Sequence, residues 1–137
     1  MWGTNKRTVT KKQAAITQIH AAIAHLYAKE YECAITLACA AEGVVGDAEP
    51  EHLRKLLLAK RPDGLTGKEW NAYLNETRDW LKHPTENLGD EREIEEFEAV
   101  IMLIRAVTKY AARYYGEYTH EMEEFTVWCR EQNYAPK

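Results

Sequence analysis

Along this chain apolar residues return every three or four positions, and no segment shows the strict alternation of a half-buried strand, so the pattern predicts an all-α fold. Ile16, Ile19, Ile23, Leu26 and Tyr27 form one stripe of a first helix over about Thr10 to Lys29, with Lys11, Lys12, Gln13 and Gln18 off that stripe. A second helix, about Tyr31 to Val45, carries Ala34, Ala38, Cys39, Ala40 and Ala41, small residues that let a neighbour approach closely and suit a central position. Gly43 or Gly46 ends it. Pro50 fits the first turn of a third helix, about Glu51 to Lys60, with Leu53, Leu56 and Leu57 turned inward. Arg61-Pro62-Asp63-Gly64 follows as a turn.

Thr66, with Glu69 three residues later, reads as the capping box of a fourth helix whose inner face holds Trp70, Tyr73, Leu74, Thr77 and Leu81. Pro84 disfavours helical geometry at the residue before it, so this helix stops at His83, and residues 84–89 form a loop. The longest helix is expected from Asp90 to about Tyr118, with an acidic start that complements the helix dipole and a stripe of Phe97, Val100, Ile101, Ile104, Val107, Ala111 and Tyr114. A last amphipathic helix, about His120 to Asn133, offers Met122, Phe125, Val127, Trp128 and Tyr134. Together these elements predict one up-and-down bundle of four to six helices over residues 1–137, with residues 1–9 as a flexible tail.

Composition narrows the function. At 137 residues, 45% hydrophobic and 29% charged, the chain is long enough to bury one core and far from the composition of a disordered protein. A net charge of −4 argues against broad DNA binding, which depends on neutralising many phosphates with Lys and Arg. Three cysteines suit free thiols in a reducing compartment. No stretch approaches the ~20 apolar residues of a membrane span, and the start lacks the apolar run of a signal peptide, so the expected location is cytoplasmic. No Gly-rich phosphate loop or nucleophile elbow is present, and no cofactor is expected.

The segment from Asn75 to Pro84 concentrates the candidate chemistry. Arg78 offers a permanently charged planar fork that fits a phosphate, and His83 is a proton-transfer group, so the two together suit binding and cleavage of a phosphodiester. Residues five apart lie about 140° apart around an ideal helix. Arg78 and His83 therefore converge only if the helix opens at Pro84 or if two copies of the motif meet across a two-fold axis. The bland alternatives are that Arg78 pairs with Glu76, Asp79 or an acidic residue of another helix, that His83 caps a helix, and that Trp80 packs in the core or a dimer interface.

Arg78-Asp79-Trp80-Leu81-Lys82-His83 resembles the motif of the HEPN superfamily, in which Arg, a polar residue, three further residues and His stand near the end of a core helix. The resemblance implies a homodimeric helical bundle that, in active members, cleaves RNA without metal in a cleft shared by two motifs. Carried over, His83 would act as general acid or base on the 2′-hydroxyl, Arg78 would stabilise charge on the phosphate, and Asp79 would hold the polar orienting position.

Three readings follow. The acidic balance and the carboxylate of Asp79 favour a HEPN-like binding module for a protein, nucleotide or RNA partner. The alternative is a metal-independent endoribonuclease, such as the toxin of a toxin and antitoxin pair, and the third reading is a structural or assembly module. A di-metal bundle competes from another class through Glu49-Pro50-Glu51-His52 and Glu117-Tyr118-Thr119-His120, but Pro50 and Gly116 put both runs at helix ends, away from a bundle core, and no metal is expected.

Overall fold

In the computed structural model, residues 3–46, 64, 66–84 and 88–134 are described. They form five helices and no strand: α1 Lys11–Tyr27, α2 Tyr31–Val45, α3 Gly67–Lys82, α4 Glu96–Arg113 and α5 His120–Glu131. The helix expected over about Glu51 to Lys60 and the turn before Gly64 lie outside the described residues.

Local capping explains where the helices start. Thr10 caps α1 through a reciprocal box with Gln13, and Thr66 caps α3 through the same arrangement with Glu69. Those hydrogen bonds hold the exposed Glu69 carboxyl below its usual range. Thr119 caps α5 by accepting from the backbone N–H of Met122.

Three of the helix ends depend on left-handed residues other than glycine. Lys29, Tyr115 and Asn133 have φ of 62°, 57° and 64°. After each, a backbone N–H reaches five residues back: Glu30 to His25, Gly116 to Ala111 and Tyr134 to Cys129. These six-to-one bonds satisfy carbonyls that the helix leaves open.

Two expected boundaries need correction. The longest described helix runs only from Glu96 to Arg113, not from Asp90 to Tyr118. Glu95 is extended at the N-cap and shares a capping box with Glu98, so Asp90, Glu91 and Glu93 precede the helix, and the left-handed Tyr115 and Gly116 stop it. Within α5, Val127 is 49% exposed and does not join the core, while Cys129 does.

α2 is central, packing on α1, α3 and α4. Its buried alanines at 34, 38 and 41 permit that close approach, and Gly46, with φ 91°, ends it. The main core joins Ile19, Ile23 and Leu26 of α1 to Ile35 of α2, Leu103 and Tyr110 of α4, and Met122 and Phe125 of α5. A smaller cluster of Trp70, Leu74 and Ile101 seats α3 on α4. Tyr73, expected to face inward, stacks on Trp70 at 5.6 Å from the partly exposed side. No helix among the described residues is long and apolar enough to cross a membrane.

Candidate functional site

The register of α3 on α4 is set by buried polar contacts. Thr77, 1% exposed, donates through Oγ1 to Oε1 of Glu98, itself 2% exposed. Arg92 donates to the same Thr77 oxygen at 3.0 Å and to Glu76 at 2.9 Å. With Thr77 locked inward, Arg78 and Lys82, one helical turn apart, share a neighbouring face.

That face opens on a cleft of about 270 Å³ between α2, α3 and α4, lined by Cys39, Glu42, Gly43, Gly46, Arg78, Lys82 and Lys109. On the cleft's α2 side, one oxygen of Glu42 accepts from Arg105 at 2.7 Å and from Lys109 at 2.8 Å. All three side chains are about nine-tenths buried, with 11%, 12% and 11% exposure for Glu42, Arg105 and Lys109. The second Glu42 oxygen and Nε of Arg105 are buried without a hydrogen-bond partner among the described residues. Two nearly buried cations thus share one carboxylate. Such a pair carries an excess positive charge out of water, an unfavourable arrangement that an external anion relieves.

Arg78 is held loosely. Its Nε and Nη2 both lie 3.3 Å from one oxygen of Asp79, whose side chain is 47% exposed. This long contact to a single, half-exposed oxygen engages the Nε and Nη2 edge only weakly, so the guanidinium can still donate to a phosphate. Cys39 reports on the same surroundings: burial, then Glu42, push its thiol up to about 11, while Arg78, Lys82 and Arg105 pull it the other way.

His83 stands apart from this cleft. It is the C-cap of α3, extended at φ −132°, and its backbone N–H donates to the Asp79 carbonyl. The residue is exposed and does not line the cleft. Arg78 and Asp79 are therefore together, whereas His83 is exposed and not among the residues that line the cleft. Trp80 is half-buried, its indole N–H donating to the Gly89 carbonyl at 2.9 Å.

Glu42, Lys82, Arg105 and Lys109 were not apparent as site residues in the sequence. The available signal was Arg105 and Lys109, four apart in the otherwise apolar stripe of α4, a spacing that puts two cations on one face. The second Glu-x-x-His run does not form a metal pair. Glu117 engages Lys12 before α5 begins, and His120 turns to Glu124 at 2.7 Å. Among the described residues no group of three or more His, Cys, Asp or Glu side chains is placed to hold a metal ion.

Fold and site define an all-helical bundle with a cation-lined cleft against its central helix. Compared with protein-family models, curated proteins and solved structures, the chain matches none.

Proposed function

We propose that this protein is a binding module that takes a phosphate-bearing ligand, a nucleotide or an RNA phosphate, in the cleft between α2, α3 and α4. One observation carries the reading: Arg105 and Lys109, both nearly buried, share a single oxygen of Glu42 directly beside the cleft that Arg78 and Lys82 line. Three cations, Arg78, Lys82 and Lys109, and one carboxylate, Glu42, line it, in a chain whose net charge is −4. The local positive field runs against the global charge, and it concentrates anions beside Arg78, which is held only by a long contact to Asp79. The resemblance of Arg78 to His83 to the HEPN motif points to the same ligand class.

The test is titration of the purified protein with inorganic phosphate, adenosine monophosphate and a short single-stranded RNA, followed by calorimetry. Saturable binding that weakens at least about tenfold in Arg78→Ala, with unchanged folding, supports the module. Equal affinity of Arg78→Ala and the parent protein for all three ligands overturns it.

A second reading is favoured by the exposure of His83 at the end of the helix that carries Arg78. In a homodimer, His83 of one copy could meet the cleft of the other and complete a metal-independent ribonuclease. RNA cleavage in excess chelator, leaving 2′,3′-cyclic phosphate ends and lost in His83→Ala, would establish it. A cognate protein partner that covers the cleft fits either reading.

A further inference from the structure

Away from the cationic cleft, α1, α4 and α5 enclose an open pocket of about 300 Å³ lined by Leu26, Tyr27, Lys29, Glu96 and Trp128. Its two aromatic walls are set at an angle, the Tyr27 and Trp128 rings lying 5.6 Å apart between centroids and 54° between planes. Trp128 also stacks on Phe125 at 6.2 Å and on Tyr134 at 5.8 Å, which ties this wall into the core. The carboxylate of Glu96 is held by two phenol groups, accepting from Tyr134 at 2.7 Å and from Tyr31 at 3.3 Å.

Neutral donors fix the direction of that carboxylate without cancelling its charge. No ion pair to a described cation neutralises Glu96, which contrasts with Glu42 in the other cleft. Two ring faces in a splayed pair and one oriented carboxylate make complementary surroundings for a cation that carries methyl groups. The methyls meet the rings, and the charge is attracted by the ring quadrupoles and by Glu96. A bare ammonium or metal ion would lose its hydration here for too few oxygen ligands. Lys29, exposed at the lip, is free to swing away or to meet an anionic group on the same ligand.

We infer that the pocket of Tyr27, Trp128 and Glu96 binds an N-methylated ammonium group, offered by a free quaternary ammonium compound or by a methylated lysine side chain. This site is independent of the phosphate cleft.

The experiment is calorimetry of the whole protein with tetramethylammonium, glycine betaine and a short trimethyllysine peptide, beside the neutral isostere 3,3-dimethylbutanol. Saturable binding of the charged probes, with the isostere weaker by about tenfold, is expected. Glu96→Gln keeps the shape of the site and one of the two acceptors that Tyr134 and Tyr31 use, the amide N–H donating to the other phenol oxygen, and should weaken the charged probes about tenfold. Tyr27→Ala, at a half-exposed wall away from those hydrogen bonds, should do the same with melting temperature nearly unchanged. Preference for the peptide identifies a protein-borne ligand, and preference for betaine identifies a free one with an anionic end for Lys29. Equal binding of charged and neutral probes, or no binding of any charged probe, overturns the inference.

Discussion

Thr77 donates its hydroxyl to Glu98 in a nearly solvent-free contact between α3 and α4. Because Arg78 is the next residue, this hydrogen bond decides which way the guanidinium faces, and it connects the stability of the bundle to the placement of the cleft. Thr77→Val keeps the volume but leaves the Glu98 oxygen without its donor. The variant should lose about 1 to 3 kcal/mol in denaturant unfolding, as expected for an unsatisfied buried carboxylate, and phosphate affinity should fall with it.

Glu42→Gln removes the one carboxylate shared by Arg105 and Lys109. Taking one partner from a buried ion pair typically destabilises by about 3 kcal/mol, so the melting temperature should drop. Added phosphate should then raise it by more than in the parent protein, since a ligand that binds only the folded state stabilises by mass action. Thermal melts across a phosphate series check both halves.

Substituting the cations of the cleft mouth separates binding from folding. Arg78→Ala and Lys82→Ala remove cleft-lining cations outside the two buried clusters, Arg78 being ion-paired to the half-exposed Asp79, so stability should move by less than about 1 kcal/mol. RNA affinity, measured against salt concentration, should lose about one unit of log–log slope per cation removed.

Alkaline pH should destabilise the fold. Burial pushes the Cys39 thiol up from 9.0 to about 11 and the Cys129 thiol to about 12, and burial with the nearby Glu96 raises the Tyr134 hydroxyl. The folded state thus holds protons that the unfolded chain releases. The associated stability is complete below pH 9, declines as the unfolded thiols ionise above it, and is gone once pH passes the folded values. Unfolding curves between pH 8 and 12 should show the decline, and Cys129→Ala should flatten it.

Tyr115 is left-handed at φ 57° and 95% exposed. Tyr115→Gly relieves the strain and gives up almost no packing, so denaturant unfolding should report a gain of about 1 kcal/mol.

How much of this was legible beforehand depended on the range of each interaction. Thr10 with Gln13 and Thr66 with Glu69 act within one turn, so the start of α1 could be read within a residue and that of α3 directly. Pro84 acts on its own neighbour, and His83 is the C-cap that its position implied. The end near Lys29 was legible within two residues, whereas the stop at Tyr115 was hidden, because this residue resembles an ordinary helix former and its left-handed turn closes by a hydrogen bond that only the folded chain forms.

The amino-acid sequence by itself determined the helical class, the apolar stripes, the caps and the closeness of Arg78 to Asp79, since all of these follow from periodicity and from neighbours a few bonds away. Only the tertiary structure decided that Arg78 shares a cleft with Glu42 and Lys109. Those residues lie on three helices, and their meeting depends on the rotation of each helix about its axis, which is set by packing around Trp70, Leu74 and the alanines of α2 and by the Thr77 to Glu98 hydrogen bond.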